Sequence, residues 1–310
     1  MEALIDVRSL AKDYGRTRVL HDVSLRIGPG VTGLLGPNGA GKSTFIKSVL
    51  GLVRITSGEG TVLGIPLGTR EREIRSLIGY MPEDDCTIPG LTGVETVAFA
   101  ARLWGMPRRE AMRRAHEILD FADIAEERYR PAEQYSTGMK QKLKFAQAIV
   151  HDPRLLILDE PTSGLDPEQR PGMLHRIRLL ADRSDKAVIL STHILPDVRA
   201  TCDEVIILDR GRVRLQERLE HLERPVTPSL TLTLLGDVEA VAGRLESAGA
   251  AVVRLPAGRL RVESEGPGLP ERIWAAVRES GAVASGLEPA RNSLEEIFLE
   301  TVREESDAGS

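Results

Sequence analysis

Nine consecutive residues carry the most chemistry in this chain: Gly36-Pro37-Asn38-Gly39-Ala40-Gly41-Lys42-Ser43-Thr44. They fit the spacing G-x-x-x-x-G-K-[ST], in which each residue type has a job. Glycines let the backbone curl until its N–H groups point inward at phosphate oxygens. The start of a following helix adds partial positive charge. Lys42 would reach the β- and γ-phosphates of a nucleoside triphosphate, Ser43 would ligate Mg²⁺, and Thr44 would add a contact to the α-phosphate. A glycine-rich turn with no ligand can match the same letters, so the flanks matter. Apolar Gly33-Leu34-Leu35 leads in, and the helical pattern Thr44–Leu50 leads out. That is the strand-loop-helix context the chemistry needs. A second constellation, Asp159-Glu160, ends the apolar run Leu155–Leu158. A carboxylate at the carboxyl end of a buried strand is placed to face a metal ion in the crevice. Asp159 would hold the ion through water, and Glu160 could polarise an attacking water as general base.

These residues need a frame. Leu4–Arg8 and Val23–Ile27 alternate apolar and polar residues, which predicts half-buried strands. Gly28-Pro29-Gly30 is a turn, and Gly60–Leu63 is a further β-rich piece. Residues 92–151 read as mostly helical, with helices from Thr92 to Trp104 and from Arg108 to Leu119 and Pro107 at a helix start. The fully apolar runs Leu155–Leu158 and Ala187–Leu190 predict interior strands of a parallel sheet. Val205–Leu208, Asp209-Arg210-Gly211 and Arg212-Val213 predict a hairpin. Two prolines in Arg224–Pro228 mark a linker. Beyond it the pattern predicts strand (231–235), helix (238–248), strand (251–255), strand (259–263), helix (269–279), strand (282–287) and helix (294–302). That order suggests a small ferredoxin-like α+β domain with an added helix. The expected division is therefore 1–224, with a helical subdomain over about 90–151, and 225–310, ending in a frayed tail from Glu304 to Ser310.

Composition narrows the classes. With 310 residues, 41% hydrophobic and 28% charged, the chain suits one large soluble domain and a smaller one. A net charge of −5 and the lack of a long basic block give no reason to expect nucleic acid as partner. Two cysteines, Cys86 and Cys202, make neither a disulfide framework nor a zinc site, and they fit a reducing compartment. No apolar run approaches the ~18 residues of a membrane helix, and the start Met1–Asp6 is too acidic and too short in apolar residues for a secretory signal. Any membrane role would run through a partner.

Read together, the motifs resemble those of the nucleotide-binding subunit of an ABC transporter, over residues 4 to about 222. After the phosphate loop, Ile78-Gly79-Tyr80-Met81-Pro82-Glu83 resembles the Q-loop region. Tyr135-Ser136-Thr137-Gly138-Met139-Lys140-Gln141 resembles the signature. Asp159-Glu160, then Ser163-Gly164-Leu165-Asp166 as D-loop and Ser191-Thr192-His193 as switch, follow in the family's order. The resemblance implies an α/β P-loop NTPase fold whose domains dimerise head to tail around two ATP molecules. It implies that Ser136 donates a hydrogen bond to the partner's γ-phosphate and that Gly138 opens a helix aimed at it. It also implies that His193 holds the water and Glu160 in line, that Asp166 works across the interface, and that Tyr14 stacks on adenine.

Two departures stand out. Glu83 occupies the place of the family's usual Gln and is followed by Asp84 and Asp85. A carboxylate there can ligate Mg²⁺, or it can point away and signal only to the membrane partner. In the signature, Thr137 and Met139 replace the more usual Gly and Gln. This variant and the C-terminal Asn292–Leu299 resemble exporters of the ABC-2 type, which handle drugs, polyketides or sodium. The resemblance thus implies an ATP-hydrolysing motor that, through ATP-driven dimer closure, drives a separate polytopic permease from the cytoplasmic face of the cell membrane. Intact half-sites favour a homodimer, and the segment 84–130 would carry the motion to the permease. The other function to weigh is a soluble ABC ATPase acting on ribosomes or DNA. Such proteins usually carry two cassettes, long coiled coils or zinc sites, and this chain shows one cassette and neither other feature.

Overall fold

The first thirty residues fold as a hairpin. Strands β1 (Ile5–Tyr14) and β2 (Thr17–Ile27) pair antiparallel and turn at Gly15, which has φ +60°. Alternation predicts only their outer ends as strand. The middle is hidden because Ser9 (φ +47°) and the register shifts beside Leu10 and Lys12 bulge the strand and break its period of two. β3 (Gly30–Leu35) runs into the glycine loop and helix α1 (Lys42–Val49). β4 (Ser57–Val62) and β5 (Ile65–Pro66) complete an antiparallel sheet of order β2-β1-β4-β5. Helix α2 (Glu71–Ser76) precedes β6 (Ile78–Met81).

The helical region follows as α3 (Gly93–Leu103), α4 (Arg108–Phe121), two short 3₁₀ turns and α5 (Thr137–Ile149). Thr92 starts α3 with a capping box. Its N–H donates to Glu95 Oε2 at 2.9 Å, and its hydroxyl accepts from Glu95 N–H at 3.4 Å. The chain then returns to α/β: β7 (Leu155–Asp159), α6 (Arg170–Ala181), β8 (Ala187–Ser191), α7 (Leu195–Thr201), β9 (Glu204–Asp209) and β10 (Arg212–Arg218). The second sheet has the order β10-β9-β3-β8-β7-β6. It is parallel except for β10, which returns on β9 through Arg210 (φ +46°) and Gly211 (φ +72°), as a tight two-residue hairpin requires.

These coordinates come from a computed structural model that describes residues 3–182, 186–225, 227–264 and 267–303. The tail Glu304–Ser310, Met1 and Glu2 at the start, and Val226 of the linker run lie outside the described residues. The chain divides into two units, one holding the residues up to Leu219 and those from Glu300 on, the other Glu220–Leu299. A short helix, α8 (Leu219–Leu222), lies at the division. In the first unit, α1 is enclosed between the two sheets. Phe45, Ile46 and Val49 share one buried cluster with Val7, Leu10, Leu20 and Leu25 of the hairpin and with Leu34, Ile157, Ile189 and Ile206 of the parallel sheet.

The second unit comprises β11 (Ser229–Leu235), α9 (Val238–Ser247), β12 (Ala251–Leu255), β13 (Arg259–Glu263), α10 (Leu269–Ser280) and β14 (Val283–Pro289); α11 (Leu294–Arg303) follows in the chain, and its residues from Glu300 on are counted with the first unit. Its sheet order is β12-β13-β11-β14, with each neighbouring pair antiparallel. β11 and β12 are therefore parallel to each other with β13 between them, which is the split βαβ of a ferredoxin-like fold. Leu232, Leu234, Leu260 and Val262 from the sheet pack on Val241, Leu245, Ile273 and Val277 from α9 and α10.

Phe45 is fully buried on the helix that follows the glycine loop. Phe45→Ala should destabilise the first unit by about 3–5 kcal/mol, through lost burial and a residual cavity. Urea unfolding would show this as a lower midpoint, and a midpoint equal to the parent's would mean that α1 does not anchor the core.

Candidate active site

Three adjacent strands deliver the chemistry to one edge. β8 lies between β3 and β7, and Ser191 at its end is in register with both Leu34 and Asp159. The segments after these strands, beginning at Gly36, Glu160 and Thr192, therefore emerge side by side at the carboxyl edge of a parallel sheet, where ligands of α/β folds bind. They enclose a cleft of about 460 Å³ lined by Val19, Gly36–Thr44, Glu83, Asp159, Glu160, Ser163 and His193.

The loop's backbone is set by packing at one end and by helix geometry at the other. A Cβ at Gly36 would lie 2.1 Å from the Leu208 carbonyl oxygen, so only glycine fits against β9. Gly41 caps α1 at φ +104° and provides no side-chain acceptor. The first N–H groups of α1 are thus left for another acceptor, and a phosphate would meet both donors and the positive helix end. Lys42 Nζ donates to Gly36 O at 2.6 Å and to Pro37 O at 3.2 Å. Burial pulls its ammonium below the usual lysine range, while the Glu160, Asp159 and Glu83 carboxylates act the other way.

Glu160 is held from several directions. Its backbone is left-handed, at φ +50°. Its N–H donates to Ser191 O at 2.8 Å, and its carbonyl accepts from Gln141 Nε2 at 3.2 Å. Its carboxylate accepts from Thr192 Oγ1 at 3.2 Å, and His193 Nδ1 lies 2.7 Å from the other oxygen. That contact places one shared proton between the ring and the carboxylate. Asp159 is buried at the end of β7. Burial pushes its carboxyl above the usual range; the Ser191 hydroxyl pulls it back, the Glu83 and Glu160 carboxylates add to the push, and Lys42 opposes them.

That crowding bears on whether a metal ion suits the cleft. Ser43, Glu83 and Asp159 bring hard oxygen donors to one wall-to-wall space, and their charge repulsion is what a divalent cation relieves. Among the described residues no three His, Cys, Asp or Glu side chains form a ready-made metal cage. The cleft wall offers two carboxylates, Glu83 and Asp159, and Mg²⁺ typically takes one or two and completes its shell with water and phosphate oxygens.

Four expected site residues do not line this cleft. Tyr14 ends β1, 46% exposed, with Lys12 Nζ 4.6 Å from its ring centroid. Ser136 is exposed and caps α5, accepting from Met139 N–H at 3.3 Å. The helix opens at Thr137, one residue ahead of Gly138, whose missing Cβ leaves room for Gln169 Oε1. Asp166 is exposed and accepts from Gln169 Nε2 at 3.4 Å. Sequence reasoning assigned no role to Val19, Ser163, Thr192 or Gln141. Thr192 and Gln141 stand inside motifs already singled out, so their positions were the available signal. Val19 carries none, because an apolar strand residue looks the same beside a ligand as in a core.

Comparison with known proteins agrees with this geometry. Residues 20–163 match the family model described as ABC transporter. The chain is 38% identical over 209 residues to the Nod factor export ATP-binding protein I of Rhizobium etli, covering 67% of this chain and 66% of that protein. It is 32% identical over 302 residues to the uncharacterized ABC transporter ATP-binding protein YxlF of Bacillus subtilis, covering 96% of this chain and 99% of that one. Among solved structures, a dimeric post-hydrolysis ATP-binding cassette bound to ADP and Pi aligns with a TM-score of 0.64 at 26% identity, covering 69% of this chain and 98% of that chain. Motif order, fold and a relative matched along nearly all of its length agree, and the chain belongs to the ABC transporter family, among its ATP-binding proteins.

Proposed function

We propose that this chain is the ATP-hydrolysing motor of an export system, working as a homodimer on the cytoplasmic face of a membrane and driving a separate permease. The observation that carries this reading is the split of the motifs. The phosphate loop, Asp159, Glu160 and His193 share one cleft, whereas Ser136 and the start of α5 are exposed outside it. A second copy would bring its Ser136 and Gly138 to the phosphate that the cleft holds, and its Asp166 to the interface. Tyr14 would stack on the adenine. Both the Nod factor relative's name and the signature variant favour export.

Within the cleft, Lys42 and the N–H groups of the loop hold the β- and γ-phosphates. Ser43, Asp159 and Glu83 would hold Mg²⁺, which when bound supplies charge neutralisation at the phosphate oxygens. Glu160 accepts the proton of the attacking water as general base. His193, paired to Glu160 through Nδ1 at 2.7 Å, orients that carboxylate. The incoming Ser136 hydroxyl and α5 dipole stabilise charge on the γ-phosphate, so dimer closure completes the site. Exposed Phe99, Leu103 and Trp104, on and just after α3, give apolar surface to the permease. Nothing in the motifs, fold or relatives favours ribosomes or DNA as the target.

Three outcomes follow from these roles. Glu160→Gln should retain ATP binding and lose about 10²–10⁴-fold in hydrolysis, the usual worth of a general base; undiminished turnover would remove Glu160 from that role. Turnover per molecule should fall as the protein is diluted below its dimerisation range. A constant value would show that one copy suffices. Asp159→Asn should raise the Tm of the nucleotide-free protein, by removing a crowded buried charge, while weakening Mg²⁺-dependent hydrolysis. The sign extends to pH. A native carboxyl raised above its unfolded value contributes stability fully below the unfolded pKa and loses it as pH rises through the native one. Melting curves across that range should decline less in Asp159→Asn than in the parent, and parallel curves would refute the assignment.

A further inference from the structure

Helix α5 does more than offer its start to a partner. Lys144, two turns along it, is buried. Its ammonium donates to three consecutive carbonyls of the chain after β6: Pro82 O at 2.9 Å, Glu83 O at 2.7 Å and Asp84 O at 3.2 Å. A lysine has three N–H donors, and here all three go to one non-helical segment. One turn earlier, Lys140 Nζ holds Asp85 Oδ2 at 2.9 Å. The neighbouring Gln141 Nε2 donates to Glu160 O at 3.2 Å and to Ser163 O at 2.7 Å. One face of α5 therefore grips both the segment bearing Glu83 and the segment bearing Glu160.

Burying an ammonium is costly unless its donors are all satisfied, and an apolar side chain of the same length would fill the space without that cost. The lysine is best explained by what it grips. The Pro82–Asp84 backbone is the mount for Glu83, whose side chain lines the nucleotide cleft. We propose that Lys144 is a positioning residue for the nucleotide site: it fixes the backbone of Pro82–Asp84 to α5 and so holds Glu83 at the metal side of the cleft. The proposal rests on the reading of Glu83 as a Mg²⁺ ligand. It also gives that acidic departure from the usual Gln a structural counterpart, since Lys140 and Lys144 face the run Glu83-Asp84-Asp85.

The test is equilibrium binding of a fluorescent ATP analogue to the full chain, with Mg²⁺ and with EDTA. In the parent, Mg²⁺ should tighten binding. In Lys144→Met that enhancement should shrink about tenfold, as loss of a group supporting a metal ligand typically does. Affinity in EDTA should stay within about twofold, because the phosphate loop is untouched. In a Glu83→Ala background, Lys144→Met should change the enhancement by less than about twofold, since the two act in series. An unchanged enhancement in Lys144→Met, or the full loss repeated without Glu83, would overturn the proposal. Should Lys144→Met fail to fold, Lys140→Met loosens the same segment from a partly exposed position. A shift of about twofold in the same direction supports the proposal, and no shift overturns it. A parent protein that binds ATP equally with and without Mg²⁺ would sink the metal reading itself, and this proposal with it. A Mg²⁺-responsive parent with an unaffected Lys144→Met sinks the proposal alone.

Discussion

The cleft must hold three carboxylates within reach of one ammonium at the buried edge of a parallel sheet, and most of the first unit answers to that electrostatic constraint. Glu83, Asp159 and Glu160 all act on Lys42, and Glu83 and Glu160 both act on Asp159. Like charges in a buried space favour proton uptake by the most buried of them. Asp159 shows that pressure in its raised carboxyl, while the Glu160 carboxylate is held by Thr192 and His193. The order of strands makes this possible. With β8 between β3 and β7, no long linker is needed to bring donors and carboxylates together.

Helix α5 sets the second level of organisation. Its exposed start and its buried middle serve different sites. Ser136 and Gly138 belong to the end that a partner would meet, while Gln141 and Lys144 clamp the chain's own loops. One helix thus joins the end that carries Ser136 to the mounts of Glu83 and Glu160.

Much of this was legible in the residues alone, and for a physical reason. Glycine at fixed spacing before Lys42 and Ser43 has few uses other than a phosphate cradle, and the apolar runs ending in Asp159 and Ser191 have few folds other than a parallel sheet. The alternating strands and spaced helices of the second unit were equally readable, within a residue or two at most boundaries. What stayed hidden depends on distance in space rather than in sequence. The bulge at Ser9 breaks the strand pattern. The grip of Lys144 on residues some sixty positions away leaves no local trace, because a lysine on a helix ordinarily reads as a solvated face. Helices α6 and α7 lack a strong periodic stripe flanked by capping residues, and neither has a side-chain cap.

The left-handed backbone of Glu160 has a consequence for how this enzyme could be altered. A strand residue normally sends its side chain above or below the sheet, but the turn at φ +50° swings this one out of the strand's alternation. Ser191 and Gln141 pin the main chain on either side. The reach of the carboxylate is therefore set by side-chain length alone, with no slack in the backbone to make up a difference. Aspartate would keep the charge and fall a methylene short, and a β-branched residue would meet both that shortfall and a disfavoured conformation. The position is narrow for natural variation and for redesign alike, and its tolerance is dictated by geometry before chemistry is considered.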